Sequence, residues 1–218
     1  VTFGKKLRAE NPGLPLYIIG HSMGSFIARD LIAEYPDGIS KVILSGTGNF
    51  ESSQILPLKI IASLQKLFTS SRKRAQLIDK LSFGGNNKQF EPGRTGFEWL
   101  SRDEEQVRLY AEDPFCGFVA TAGFYLDFAE GLKRISGRRA FSKTPADLPI
   151  LLFSGDHDPV GGNGEGVKKV CERYIDTGHK KVEMKLNKGG HHESLNETNR
   201  AEVYQIFSSW LEESGRIS

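Results

Sequence analysis

Cysteine is almost missing from this chain of 218 residues: Cys116 and Cys171 are the only two, they lie far apart, and they form no CxxC pair. Neither a disulfide framework nor a zinc site is indicated, and both read as buried free thiols. No apolar stretch approaches the roughly 18 to 20 residues that a membrane span needs, so no integral membrane segment is expected. The chain also does not open on a charged-then-apolar signal segment. Neither sign of charge dominates, because 29 basic and 27 acidic residues are interspersed and leave a formal net charge of +2. That balance gives no electrostatic case for nucleic acid as a partner. The short basic run Arg72-Lys73-Arg74 reads as a solvated helix face. Internal repeats and low-complexity blocks are lacking too. With 38% hydrophobic and 26% charged residues, the chain can bury one core and carry a small subdomain.

What is present begins with Gly20-His21-Ser22-Met23-Gly24, directly after the apolar run Leu16-Tyr17-Ile18-Ile19 and directly before an amphipathic stretch. Ser22 is therefore expected on a tight strand-to-helix turn, a nucleophile elbow. A serine hydroxyl is a poor nucleophile in water and must be presented at strained, exposed geometry beside a base. Small neighbours permit the turn, and Gly20 and Gly24 are read as meeting that requirement.

Hydrophobic spacing gives the organisation. A helix is expected around Phe3 to Glu10, stopped by Asn11-Pro12-Gly13, then strands at Leu16 to Ile19 and Lys41 to Leu44. Between them Phe26, Ile27, Ala28, Leu31 and Ile32 recur at helical spacing. Leu148 to Phe153 is an unbroken apolar run, as a parallel strand covered on both faces requires. Val167, Val170, Cys171 and Tyr174 mark a helix, Lys181 to Leu186 alternate as a strand near a sheet edge does, and Val203 to Leu211 close the chain as a helix. Such alternation predicts a mostly parallel α/β sheet flanked by helices. Between Ser45 and Pro149 lies far more chain than a crossover needs. Residues 47–147 are thus expected to form a helical cap inserted between two strands of a core made of residues 1–46 and 148–218. In the cap, Ile60, Ile61, Leu64, Leu67 and Phe68 suggest one helix, Ser101 with Glu104 a capping box opening another, and Val119 to Leu132 a third. Phe115, Phe118, Phe124, Tyr125 and Phe128 crowd there, and serve equally as cap packing or as the wall of an acyl-chain pocket.

A nucleophilic serine needs a base, and the base needs an anion to fix its tautomer. The third strand runs into Ser154-Gly155-Asp156-His157-Asp158-Pro159-Val160, which puts an acid at the carboxyl end of a strand, where open α/β sheets build sites. Asp158 is preferred over Asp156, because a residue before proline is held extended while Asp156 can hydrogen-bond the turn. The fourth strand ends at Asn187-Lys188-Gly189-Gly190-His191-His192-Glu193, and by spacing alone either histidine could be the base. Serine, then aspartate, then histidine, each after a strand, is the chain order of an α/β-hydrolase triad.

These three runs, extended through Ser194-Leu195-Asn196-Glu197, together with Phe97-Glu98-Trp99-Leu100-Ser101-Arg102-Asp103 and Asp113-Pro114-Phe115-Cys116-Gly117-Phe118, resemble bacterial serine hydrolases of the monoacylglycerol lipase and lysophospholipase type. The resemblance spans nearly the whole chain. It implies an α/β-hydrolase fold with a cap, Ser22 as nucleophile, Asp158 as acid, and the second histidine, His192, as base, with His191 at a variable position. It also implies that the Met23 backbone N–H is one oxyanion donor and that a second comes from a loop after the third strand of the full sheet. That loop is not in this sequence, and the nucleophile strand is normally the fifth. The chain, which begins at Val1, is accordingly expected to be N-terminally incomplete, part of an enzyme of roughly 300 residues. The exposed edge of its first strand would then be a template for a homodimer.

The expected activity is hydrolysis of a carboxylic ester, with monoacylglycerol or lysophospholipid as substrate, His21 and the five cap aromatics as contacts, no metal or organic cofactor, and a cytoplasmic location. Two alternatives stand beside it. A capped aminopeptidase would need cap acids to bind a free amino terminus, for which Glu98, Glu104, Glu105, Glu112 and Asp113 are available. A truncated chain could instead be a non-catalytic binding fragment.

Overall fold

The computed structural model describes residues 2–68 and 70–213. Four strands, β1 (Leu16–His21), β2 (Ile39–Ser45), β3 (Ile150–Gly155) and β4 (Val182–Asn187), lie side by side in chain order, every neighbouring pair parallel. Helices α1 (Thr2–Glu10), α2 (Met23–Glu34), α8 (Glu165–Asp176) and α9 (Arg200–Glu213) alternate with them, and α3 to α7 fill the long connection from β2 to β3.

Side chains alternate across a strand, so one apolar run serves two layers. Val42, Leu44, Ile150 and Leu152 point toward α2 and α8, where they meet Ala28, Ile32, Val167, Val170 and Tyr174. Their neighbours Ile43, Leu151 and Phe153 point the other way, onto Val203, Phe207 and Trp210 of α9. Among the described residues β4 pairs only with β3, and it keeps Val182 and Met184 against the first layer while Glu183 and Lys185 are exposed. The period-two pattern thus has its physical origin in one covered and one wet face.

In the connection, α3 (Ser52–Phe68) and α6 (Ala122–Ser136) pack together, and Ile55, Ala129, Leu132 and Ile135 join Phe26 of α2 in a cluster that ties this layer to the elbow helix. Two helices there were not expected from spacing: α4 (Gln76–Phe83), which buries Ile78, and α7 (Arg138–Lys143), whose Phe141 belongs to the sheet's own cluster. Helix α5 (Glu104–Glu112) is not opened by Ser101. Asp103 caps it, accepting from the Glu105 and Gln106 N–H groups; Ser101 lies two residues earlier, where its hydroxyl accepts the Asp103 N–H at 3.0 Å and donates to the Asn196 carbonyl at 2.9 Å. The helix expected over Val119 to Leu132 starts at Ala122 instead, where the Thr121 hydroxyl accepts the Phe124 N–H. Arg72-Lys73-Arg74 is no helix face: it forms a turn whose backbone is laced to 120–123, with Arg74 bridged to Thr121. Both cysteines are free, but half-buried rather than buried.

Candidate active site

β1 delivers the chain to Ser22 at φ 51° and ψ −123°, a conformation that a residue with a side chain rarely adopts. Neighbouring bonds hold it there. The Ser22 N–H donates to the Ser45 carbonyl at 2.9 Å, and the Ser22 carbonyl accepts from the Ser25 N–H and hydroxyl at 2.8 and 2.6 Å. A Cβ on Gly20 would lie 2.6 Å from the Gly24 carbonyl oxygen, so glycine is required at 20. Gly24 was expected to be needed as well, but a Cβ there would meet nothing within 4 Å; its backbone, not its lack of a side chain, is what Gly20 accommodates. Ser22 makes no side-chain cap bond to α2. Met23 opens that helix, so its N–H has no intrahelical partner and adds to the positive end of the helix dipole.

Beyond β3, Asp158 is fully buried. Its carboxylate accepts from the Ser154 hydroxyl at 2.8 Å and the Val160 N–H at 2.9 Å, and both oxygens lie 3.0 Å from His192 Nδ1. Burial by itself would raise this carboxyl, but the His192 imidazole, the Ser154 hydroxyl and the Val160 N–H together hold it below its ordinary value. Asp156 does what the turn asks of it, accepting the Gly189 N–H at 2.6 Å and pairing with His157. A Cβ on Gly155 would fall 1.9 Å from the Gly190 carbonyl oxygen, so glycine lets the β3 loop touch the loop that carries the histidines.

The two histidines separate cleanly. His191 turns to the Glu98 carbonyl at 2.7 Å and lies tilted against Phe90, whereas His192, 2% exposed, faces Asp158. His192 rests on the end of β2, where a Cβ on Gly46 would lie 2.9 Å from its Cε1. Two rings lie against it, His21 with centroids 4.8 Å apart and Trp99 at 5.1 Å. Burial, then the neighbouring His192, hold His21 down at about 4 despite the opposing Asp158, so it is neutral at pH 7. Ser22 and His192 both adjoin Ser45-Gly46, yet no hydrogen bond joins the Ser22 hydroxyl to His192 among those between the described residues.

Ser22 and Met23 open onto a cavity of about 710 Å³, within the ordinary range for a small-molecule site. Its wall is mostly apolar and includes Ile55, Leu58, Ile78, Leu81, Phe124 and Phe128, and Trp99 lines it as well. The remaining aromatics expected as contacts lie elsewhere. Tyr125 is buried in the α3/α4/α6 cluster with its hydroxyl on Asp79 at 2.7 Å. Phe115 and Phe118, 83% and 67% exposed, border a separate shallow hollow with Arg72 and Arg74. His21 touches the His192 ring rather than the cavity wall.

A family profile described as serine aminopeptidase, S33, matches residues 1–199. The chain belongs to this family. As an S33 family member it is 26% identical over 205 residues to a monoacylglycerol lipase of Mycolicibacterium smegmatis, an alignment covering 93% of this chain and 64% of that protein. It is 30% identical over 152 residues to the monoglyceride lipase of Mus musculus, covering 70% and 44%. A highly thermostable carboxyl esterase from Bacillus coagulans, solved in complex with glycerol, superposes with a TM-score of 0.89 at 30% identity, over 97% of this chain and 69% of the esterase. The fold is that of an α/β-hydrolase, and the chain spans under two thirds of both of these curated relatives.

Three residues at the site were quoted in sequence motifs without a role. Ser154 holds the buried carboxylate, and Trp99 covers the imidazole. Glu197, fully buried, accepts from the Arg102 Nε at 2.8 Å and the His191 N–H at 2.8 Å. Trp99 and the Arg102–Glu197 pair join segments more than 90 residues apart, which no local spacing marks, whereas Ser154 lies only four residues before Asp158, a spacing that could have singled it out.

Proposed function

We propose that this S33 family chain carries the catalytic apparatus of a serine hydrolase that cleaves carboxylic esters, with a monoacylglycerol or a lysophospholipid as substrate. The observation that carries the reading is the strained Ser22, its hydroxyl unused by the helix it precedes, at the mouth of an apolar cavity beside the buried His192–Asp158 pair. Ser22 Oγ attacks the acyl carbonyl while His192 Nε2 takes its proton, Asp158 fixing Nδ1–H and supporting the ring's positive charge. The serine hydroxyl turns onto Nε2 in the substrate complex, where such bonds commonly tighten. The Met23 N–H receives the developing oxyanion. Loss of the alcohol leaves an acyl-enzyme, which water activated by the same imidazole hydrolyses. A single hydrocarbon chain suits the cavity's size and apolar wall, and the relatives named as monoacylglycerol and monoglyceride lipases favour the same class.

An aminopeptidase needs an uncommitted acid to hold a free amine, and the five candidates are occupied. Glu98 accepts from the N–H groups of Arg94, Thr95 and Gly96 and from Asn87, and these bonds, overcoming burial, hold it at about 2. Glu104 pairs with Arg94, Glu105 and Glu112 pair with Arg108, and Asp113 accepts the Phe115 N–H. Comparing nitrophenyl esters of increasing chain length with aminoacyl amides tests the reading. Turnover of medium-chain esters at least about a hundredfold above that of the amides is expected, and preference for the free-amine substrate would reverse the assignment.

A further inference from the structure

The segment Trp99–Asp103, which belongs to the long connection between β2 and β3, is stitched residue by residue to the loop that carries His192. The Trp99 carbonyl accepts the His192 N–H at 3.2 Å and the Leu100 carbonyl accepts the Glu193 N–H at 2.7 Å. Ser101 donates to the Asn196 carbonyl, Arg102 pairs with buried Glu197 at 2.8 Å, and Asp103 pairs with Arg200 at 2.8 Å. From the other side the Trp99 N–H donates to Asn87 Oδ1 at 3.0 Å. The indole is thereby fixed with its ring 5.1 Å from the imidazole and 36° from parallel, close enough for its π face to attract a cation there.

We propose that Trp99 is a positioning residue for the reaction, its indole stabilising the imidazolium that His192 becomes when Ser22 is acylated. The proposal rests on the ester-hydrolysis reading above. As Ser22 Oγ bonds to the acyl carbon, its proton passes to His192 Nε2 and the ring gains one positive charge. When the bond to the alcohol oxygen breaks, that proton leaves with the alcohol, and water repeats the cycle to free the acid. The titratable groups against the ring are Asp158, from the loop after β3, and His21, from the end of β1. His21 is neutral at pH 7 and offers no charge, so Asp158 and the indole are the two stabilisers of the cation.

Trp99→Phe and Trp99→Leu isolate the ring, because the backbone bonds on either side of residue 99 survive both changes. The measurements are an NMR titration of the His192 ring carbon, kcat and KM, and the pH profile of kcat/KM, each with a thermal melt. In Trp99→Leu the proton affinity of His192 should fall about threefold or more, with a smaller fall in Trp99→Phe. The acid limb of kcat/KM should move to lower pH in step, and kcat should fall about tenfold with KM changed less than about threefold. If Trp99→Leu does not fold, Trp99→Phe carries the comparison. An unmoved titration overturns the proposal, as does a rise in KM with kcat and the titration unchanged, which would make Trp99 only cavity wall. If the wild-type chain cleaves no ester, the functional reading falls, while the ring titration still decides whether the indole stabilises the cation.

Discussion

Asp158 and His21 flank the same imidazole and are both pulled below their ordinary values, with opposite effects on charge: the carboxyl stays ionised and the histidine stays neutral. The consequence for stability has a definite sign. Between the ordinary value of 6.5 and about 4, the unfolded chain takes up a proton at His21 that the folded chain refuses. The stability linked to His21 is therefore fully present above about pH 6.5 and drains away as pH falls toward 4. Asp158, whose folded carboxyl is the more acidic, adds its own loss only at lower pH, below the ordinary carboxylate range. Urea unfolding at intervals from about pH 7 to pH 4.5 should show a steady decline that is shallower in His21→Asn. An equal decline in the variant would place that proton elsewhere. At this scale the sequence was informative about identity and silent about partners. Asp158 could be preferred over Asp156 from the proline after it, but nothing local distinguished His192 from His191. That choice came from the family pattern; in the structure the Glu98 carbonyl draws His191 away while His192 faces Asp158.

The strands were legible because β2 and β3 are buried on both faces and β4 on one, and each state writes its own hydrophobic period. The short helices were not. α4 and α7 each bury a single large side chain, Ile78 and Phe141, and owe their form to contacts with remote elements. The capping box at Ser101 failed for a related reason, since that hydroxyl accepts the Asp103 N–H rather than one inside the helix and is anchored by donating to a carbonyl 95 residues away in sequence. The elbow was read correctly in type and only half correctly in its glycines. Gly20→Ala would drive a methyl group into the backbone of residue 24 and should cost about 2 to 3 kcal/mol, through the overpacking it forces. Gly24→Ala meets open space inside α2 and should change stability by less than about 1 kcal/mol, in the favourable direction. Chemical denaturation of the two variants checks this, and equal destabilisation would contradict the packing described for the turn.

Across the whole molecule, a cavity lies between the sheet's elbow and the helices of the long connection, and the loop of His192 is held by both. Phe26 and Ile55 join the elbow helix to α3, while Arg102 and Glu197 join the connection to the loop of His192. An insertion of this length was evident from the sequence, but not that its segment 99–103 would brace the loop of His192. Such bracing joins backbone carbonyls and side-chain pairs more than 90 residues apart in the chain, a separation that no local pattern records. The chemistry itself turns on whether Ser22 is activated where it stands. Reaction of the chain with a fluorophosphonate probe at about pH 7.5, followed by mass mapping, addresses that directly. Stoichiometric labelling at Ser22 that disappears in Ser22→Ala, and falls steeply in His192→Ala, is the expected result. A folded wild-type chain that takes up no probe, or labelling that persists in Ser22→Ala, would contradict it.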